Sequence, residues 1–204
     1  MSALYQLRLA TKSDAEALAE IYRPFVEQTA ISFEEHPPLP EEMWKRVEHT
    51  LQQHSWWVCT YHNKVVGYAY SGALRTRTAY RYTAEVSVYI APAHHRKRIA
   101  KALYTLLHKV MTLQGFKVSY AGMTIPNAAS KSFHEALGYR SMAIYENVGY
   151  KHGTWHSTEW FCRQLTPATG LPAELVTLNN LSPTVIDKAI TDSQSLILQA
   201  EHSL

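Results

Sequence analysis

Cysteine and glycine are both scarce in this chain of 204 residues, which has only two cysteines and eight glycines. The lone thiols of Cys59 and Cys162 cannot build a disulfide framework or a cysteine-rich zinc module. No apolar run approaches the roughly 20 residues that a membrane span requires, and the first residues lack the apolar core of a signal peptide. These absences predict a protein of the reducing cytoplasm with no membrane partner.

Neither sign of charge is in large excess, because the formal net charge is only +3. A surplus this small does not predict a nucleic-acid partner. Apolar residues make up 46% of the chain and charged residues 18%, which is typical of a folded protein and not of a disordered one. The length suffices for one substantial core.

Alternation and helical spacing divide most of the chain into short elements. Alternating apolar residues predict strands at residues 5–10, 56–61, 65–73, 80–90, 117–124, 141–148 and 155–163. Helical spacing predicts helices after a capping box at residues 13–16, from Pro40, from Ile99 to a glycine cap at Gly115, and over residues 127–137. The order βααβββαβαββ is that of an α/β mixture (α+β).

The composition changes after Leu165. Residues 166–180 carry prolines, glycine and polar residues, which predicts a linker, and a further helix begins at Ser182-Pro183. We therefore expect one domain over residues 1–165, and a linker with an amphipathic C-terminal helix over residues 166–204. The helix has an apolar face that must pack on the main body or on another subunit.

A basic loop at residues 89–100 (YIAPAHHRKRIA) joins a strand to a helix. Free amides at a helix N-terminus, beside Arg96, Lys97, Arg98 and Lys101, favour a phosphate-bearing ligand. The alternative is a solvated basic turn. The loop has no glycine, which counts against Walker and Rossmann loops, because both need glycine for close backbone approach.

Charged side chains before this loop are a second set of candidates. Glu85 lies in mid-strand, where it either faces a cleft as a general base with a raised pKa or sits on a solvated sheet face. Arg75 and Arg77 would share one face if the strand extends that far, and they would then grip a substrate carboxylate or phosphoryl group. The alternative for the arginines is a charged edge that prevents aggregation.

Histidines offer two further patterns. Asn127, Ser130 and His134 line one face of the short predicted helix. His152 and His156 have the spacing of metal ligands, but the glycine between them argues against a helix and no third ligand is apparent. We therefore predict no metal site.

Four motifs give the chain a recognisable pattern, namely residues 7–15 (LRLATKSDA), 83–90 (TAEVSVYI), 125–139 (IPNAASKSFHEALGY) and 149–156 (GYKHGTWH). Over about residues 7–165 the chain resembles the GNAT acetyltransferase superfamily and, within it, the phosphinothricin N-acetyltransferase group. The last two motifs are specific to that group. The resemblance implies a central mixed, mostly antiparallel sheet with helices on both faces, acetyl-CoA as donor, a small-molecule primary amine as acceptor, and a homodimer.

The resemblance also implies roles for individual residues. Glu85 matches the group's proposed base, and His134 stands where many members of the superfamily carry a tyrosine acid. The acceptor pocket would be lined by Arg75, Arg77 and Tyr80. The co-substrate would be held by Val88, Tyr89 and Ile90 through their backbone, by the loop residues His95, Arg96, Lys97, Arg98, Ile99, Ala100 and Lys101, and by Asn127 and Ser130.

One departure from the superfamily pattern concerns the loop. The pattern Gln/Arg-x-x-Gly-x-Gly/Ala reads His95-Arg-Lys-Arg98-Ile-Ala100 here, so that an arginine replaces the first glycine. Arg98 either obstructs the backbone cradle or adds a contact to phosphate. The sequence therefore predicts an N-acetyltransferase of a small amino acid or analogue, and leaves two alternatives. These are a non-catalytic acyl-CoA or amino-acid binding module and a peptide or protein N-acetyltransferase.

Overall fold

A computed structural model describes residues 4–201, with side chains over residues 4–197. Its strands are β1 Tyr5–Leu9, β2 Trp56–Tyr61, β3 Lys64–Ala73, β4 Thr83–Ile90, β5 Val118–Ile125, β6 Arg140–Lys151 and β7 Thr154–Gln164. Its α-helices are α1 Ala15–Glu27, α2 Pro40–Thr50, α3 Ile99–Gln114, α4 Ala128–Ala136 and α5 Pro183–Glu201. The predicted order of strands and helices is confirmed.

The seven strands form one sheet in the order β1-β2-β3-β4-β5-β7-β6. All neighbours are antiparallel except β4 and β5. That parallel pair is short, because residues 83–85 pair with residues 118–120 and no further. Beyond Glu85, β4 keeps its partner β3 but separates from β5, and the sheet opens at this point.

Helices cover both faces of the sheet, as the sequence predicts. The inward side chains of β4, such as Ala84 and Val86, share one core with the apolar stripe of α3. A second core on the opposite face is built by α1 and α2, with Leu18 and Val47 against Val58. Gly115 ends α3 in the left-handed conformation (φ 99°), as expected of a glycine cap.

The C-terminal helix packs on the body of its own chain. Its residues Ala189 and Ile197 belong to the core shared with α3. Gln194 Oε1 accepts a hydrogen bond of 2.9 Å from the backbone amide of Leu7 in β1, and the Lys109 ammonium lies 3.1 Å from the Asp192 carboxylate. Of the two alternatives for its apolar face, the structure therefore shows packing on the main body.

Two local predictions are wrong. The capping box lies at Thr11 and Asp14, not at Ser13 and Glu16, because the Asp14 carboxylate accepts from the Thr11 amide at 2.8 Å and also pairs with Arg8. The strand expected from residue 80 begins at Thr83, after a 3₁₀ turn. Within residues 4–201, no helix is long and apolar enough to cross a membrane.

Candidate active site

A cavity of about 330 Å³ lies where β4 and β5 separate. On the face covered by α1 its wall includes Phe25, Ile31 and Tyr89, and on the face covered by α3 and α4 it includes Tyr104 and His134. The other lining residues are Val86, Ser87, Val88, Ile90, His94, His95, Arg96, Ala100, Gly122, Met123, Asn127, Ala129, Ser130 and Phe133. The cavity therefore runs through the opening in the sheet.

The backbone of β4 presents unpaired hydrogen-bonding groups to this opening. The Ala91 amide donates to the Val66 carbonyl on the β3 side, and the Tyr82 carbonyl accepts from the Lys117 amide on the β5 side. Because amide groups alternate along a strand, those of Val88 and Ile90 point toward the β5 side, where pairing has ended. The Tyr89 amide faces β3 by the same alternation, so Tyr89 lines the cavity with its side chain and not with its backbone.

The basic loop contributes only part of its predicted set to the cavity. His95, Arg96 and Ala100 line it, whereas Lys97, Arg98, Ile99 and Lys101 do not. Ile99 is buried in the core beneath the loop. His95 Nε2 donates to the Ile90 carbonyl at 3.0 Å, and so occupies one of the backbone groups at the opening.

Arg98 is exposed and has the left-handed backbone conformation (φ 61°, ψ 12°). Glycine adopts this conformation without strain, whereas other residues adopt it at a cost. The backbone therefore keeps the shape that suits a glycine, and the arginine side chain stands outside the cavity wall.

Glu85 lies where β4 and β5 stop pairing, on the α1 side of the sheet with Ser87 and Tyr89. Its carboxylate is half-buried, and burial raises its pKa while the positive charge of Arg75 opposes that shift. A raised pKa is what we expect of a base that faces a cleft, and the role of Glu85 stays a prediction. Glu85 itself does not line the cavity but adjoins Val86, which does.

The residues predicted for an acceptor pocket lie in the exposed connection between β3 and β4. Arg75 is near the Trp160 ring, with 6.0 Å from its guanidinium carbon to the ring centroid. Arg77 and Tyr80 flank and end a 3₁₀ turn and are exposed. The strand does not extend to these arginines, so they do not share a strand face, and only Arg75 is close enough to influence Glu85.

The helix α4 presents its predicted polar face to the cavity. Asn127 is the N-cap, and its Oδ1 accepts from the Ser130 amide at 3.1 Å. His134 Nδ1 lies 2.8 Å from the Ser130 carbonyl, which can only accept, so Nδ1 carries the proton. Burial lowers the pKa of His134, and a neutral imidazole therefore leaves Nε2 as an acceptor.

Tyr104 is a cavity residue that the sequence reasoning missed. Its hydroxyl lies 3.3 Å from His134 Nε2 and donates to it. The side chain comes from α3, one helical turn after Ala100, and both residues line the cavity. The spacing from the basic loop was therefore a usable signal, because residues four apart lie on one helix face.

The fold and the sequence agree on a family. Residues 7–160 match the model of the acetyltransferase (GNAT) domain. The chain belongs to the GNAT acetyltransferase family. The resemblance read from the four motifs is thereby confirmed, and the opening between β4 and β5 lies within the matched residues.

Named relatives of this GNAT domain include phosphinothricin N-acetyltransferase of Streptomyces viridochromogenes, which is 35% identical over 84% of this chain and 94% of its own length. L-methionine sulfoximine/L-methionine sulfone acetyltransferase of Salmonella typhimurium is 33% identical over 73% of this chain and 88% of its own. A GNAT phosphinothricin acetyltransferase from Sinorhizobium meliloti, solved with acetyl-CoA, superimposes with a TM-score of 0.81, at 33% identity over 88% of this chain and 98% of that one.

The described part of this GNAT chain holds no group of three or more side chains able to bind a metal ion. His156 Nε2 donates to the Lys151 carbonyl at 3.0 Å, so this histidine has a structural partner. Cys59 and Cys162 are both free and buried. Burial raises the pKa of the Cys59 thiol to about 12, which makes it a poor nucleophile.

Proposed function

We propose that this protein transfers the acetyl group of acetyl-CoA to the primary amine of a small amino acid or analogue such as phosphinothricin or methionine sulfone. The observation that carries the proposal is the cavity through the sheet, which has Glu85 beside it on one face and His134 in its wall on the other. This arrangement suits direct transfer between two substrates that approach from opposite faces. The family membership and the activities named for the relatives add support.

In this proposal acetyl-CoA binds on the α3–α4 side. The Val88 carbonyl and the Ile90 amide, which have no partner on the β5 side, bond the pantetheine arm as an added strand would. The free amides at the start of α3 hold the pyrophosphate, together with Arg96 at the cavity, Lys97 and Arg98 in the basic loop, and Lys101 in the first turn of α3. Asn127 and Ser130 contact the co-substrate from the start of α4.

The proposed chemistry needs no covalent enzyme intermediate. Glu85, directly or through water, takes a proton from the acceptor ammonium, and the free amine attacks the thioester carbonyl carbon. The Val88 amide stabilises the oxyanion. Collapse breaks the carbon–sulfur bond. The Tyr104 hydroxyl, which rests on His134 Nε2, turns to the sulfur and gives its proton to the thiolate, and water then returns a proton to the tyrosine oxygen.

The acceptor is assigned to the α1 side of the cavity. Arg75 is the residue best placed to meet an acceptor carboxylate, because it is the cation whose charge acts on Glu85. Arg77 and Tyr80 belong to the same exposed connection and complete the proposed pocket. An acceptor with a free carboxylate is therefore favoured over a peptide.

Assembly as a homodimer forms part of the proposal, and its support comes from the edge strand β6. Large apolar side chains are exposed along β6 and at the start of β7, at Met142, Ile144, Tyr145, Val148, Tyr150 and Trp155. An apolar patch on a long sheet edge favours a second copy of the same surface. Sedimentation at micromolar concentration tests this, with Ile144→Glu expected to give monomers and a monomeric wild type contradicting it.

Two further parts of the proposal concern organisation and location. The match to the GNAT domain ends at residue 160, which supports an acetyltransferase unit of residues 1–165 with an extension of residues 166–204. The cytoplasmic location stays a prediction, supported by the two free thiols.

The activity is tested by following thiol release from acetyl-CoA with a panel of acceptors. The panel holds the common amino acids, methionine sulfone, methionine sulfoximine, phosphinothricin and short peptides. We expect turnover with at least one free amino acid or analogue and little with peptides. A preference for peptides would favour the peptide acetyltransferase instead. Tight acetyl-CoA binding with no turnover of any acceptor would favour the binding module.

A further inference from the structure

The motif at residues 149–156 has no part in the chemistry above, yet three of its residues meet one short connection. This connection, residues 28–34, follows α1 and is called the wall segment below. Lys151, the last residue of β6, donates from Nζ to the Val26 carbonyl at 2.6 Å and to the Ser32 carbonyl at 2.7 Å. The bonds join residues more than a hundred positions apart, on opposite sides of the cleft.

The burial of Lys151 is unusual for a lysine, since only 7% of its surface is exposed. Burial lowers the pKa of the ammonium, while the negative charges of Glu34 and Glu35 favour its charged form. The Val26 carbonyl is in the last turn of α1, where carbonyls lack helical partners and a cation is favourable. An uncompensated ammonium here would be costly, so the two carbonyls and the cation hold one another in place.

Gly149 and His156 hold the same connection. A side chain at Gly149 would collide with the ring of Phe33, which lies against the glycine backbone. His156 is close to the Phe33 ring, with 6.3 Å between ring centroids, and it donates to the Lys151 carbonyl. The motif therefore contributes a glycine that lets the Phe33 ring lie against the backbone, and two side chains, Lys151 and His156, that form hydrogen bonds.

A further bond ties the wall segment to β5. Thr124 Oγ1 donates to the Ala30 carbonyl at 2.7 Å. On the other side, the Ser32 hydroxyl bonds the Tyr22 hydroxyl at 2.7 Å, which anchors the segment to α1. The wall segment is thus bonded to β5 through Ala30 and to α1 through Ser32.

The wall segment matters because Ile31 within it, and Phe25 just before it, line the cavity on the face of Glu85. We propose that Lys151, with Thr124 as a second anchor, is a positioning residue that fixes this wall and thereby sets the affinity for the acceptor. The expected change in the acceptor KM rests on the proposed acetyltransferase function. The ordering of the wall segment by Lys151 does not depend on that function.

The kinetic test compares Lys151→Met and Thr124→Val with the wild type. Each change removes donors while keeping the side-chain shape. We expect the KM for the acceptor to rise about tenfold in K151M, which loses charge-assisted bonds, and roughly threefold in T124V, which loses a neutral one. The KM for acetyl-CoA should stay unchanged. Lys64→Met is the matched control, because Lys64 also adjoins a two-residue hairpin turn but is exposed and does not line the cavity.

A merely stabilising role would lower the unfolding temperature and leave both KM values at the wild-type level, and that result would overturn the proposal. Equal rises in the two KM values would overturn it as well. If K151M does not fold, T124V decides, because it leaves the buried cation paired.

Hydrogen exchange separates the proposal from the function on which its kinetics depend. In K151M the amides of residues 28–34 should exchange faster than in the wild type, while those of β4 and β5 should not. This readout needs no acceptor. If the wild type shows no turnover, only the proposed function is wrong. If K151M shows unchanged exchange at residues 28–34, the positioning role is wrong.

Discussion

The Tyr104 hydroxyl lies 3.3 Å from His134 Nε2, and both side chains line the cavity between β4 and β5. His134 commits its only proton, on Nδ1, to the Ser130 carbonyl at 2.8 Å. The neutral imidazole therefore has no free proton to give to a departing thiolate. The Tyr104 hydroxyl can supply one when it turns from Nε2 to the sulfur, although burial raises the pKa of this tyrosine. We therefore propose that the two residues act as a pair in which the histidine orients the tyrosine.

This relationship predicts that Tyr104→Phe lowers kcat by about 10²-fold, in the range of lost general-acid catalysis. His134→Ala should lower it too, and the double variant should be little worse than either alone, because the two residues act as a unit. Tyr139→Phe is the control, since Tyr139 is another buried tyrosine, hydrogen-bonded to His108, that does not line the cavity. Additive losses in Y104F and H134A, measured by steady-state kinetics, would contradict the pair.

Glu85→Gln should lower kcat by roughly 10²–10⁴-fold with the acetyl-CoA KM unchanged, if the carboxylate is the base. The base works only when ionised, and burial raises its pKa, so the wild-type rate should fall as the pH drops through that pKa. The glutamine variant should lack this acidic limb. Glu146→Gln, at an exposed position on β6, should behave as the wild type. A near-normal kcat in E85Q at neutral pH would rule out Glu85 as the base.

Arg75→Ala should raise the KM for an acceptor that carries a carboxylate. It should also shift the acidic limb of the pH–rate profile to higher pH, because the Arg75 charge lowers the Glu85 pKa. Arg77→Ala should change the acceptor KM less and leave the profile in place, since Arg75 and not Arg77 is the charge that acts on Glu85. Profiles measured with the same acceptor decide between the two. The same KM rise for an amine without a carboxylate would indicate a structural role for Arg75.

Comparing Arg98→Ala with Arg98→Gly separates the backbone strain at position 98 from the contribution of the arginine side chain to acetyl-CoA binding. Both remove the cation, and each should weaken acetyl-CoA binding by about 1.5–3 kcal/mol, less at high salt. Only glycine relieves the left-handed backbone at φ 61°, so R98G should be more stable than R98A by roughly 1 kcal/mol. Calorimetric titration and thermal unfolding give the two quantities. Tighter binding in R98G than in the wild type would mean that the arginine obstructs the cradle.

Ile197→Ala should destabilise the fold by about 2–5 kcal/mol, the usual cost of emptying a buried site. Ile197 has no exposed surface, whereas Val185 on the same helix is 41% exposed. Val185→Ala should change the free energy of unfolding by less than about 0.5 kcal/mol. Denaturant unfolding compares the two. Equal, small effects would mean that the C-terminal helix adds little, and a chain cut after Leu165 should then remain folded.

Local sequence patterns were enough to predict most of the strands and helices. The exceptions depend on contacts that spacing along the chain does not reveal. The serine at position 13 and the glutamate at 16 have capping-box spacing, but Asp14 is drawn to Arg8 on the preceding strand, a partner that spacing does not reveal. Arg75 and Arg77 have the spacing of residues on one strand face, but the pairing of β3 with β4 ends at Ala73, before either arginine.

The candidate site was predicted well where one element supplies it and poorly where two elements meet. Asn127, Ser130 and His134 share a helix face, so spacing alone groups them. Tyr104 and His134 come from different helices, and Lys151 reaches carbonyls on the far side of the cleft. No periodicity in the sequence encodes these pairs.

The sequence by itself determined the order of strands and helices, the family, the carboxylate at position 85 and the basic loop. Each of these depends on neighbouring residues or on the residue spacing within one strand or helix. The tertiary structure decided that β4 and β5 separate after Glu85, that the Val88 amide has no partner on β5, and that Lys151 donates to the Ser32 carbonyl of the wall segment. It also decided that the C-terminal helix is covered by its own chain. These features depend on burial and on hydrogen bonds between distant residues, and both exist only once the chain has folded.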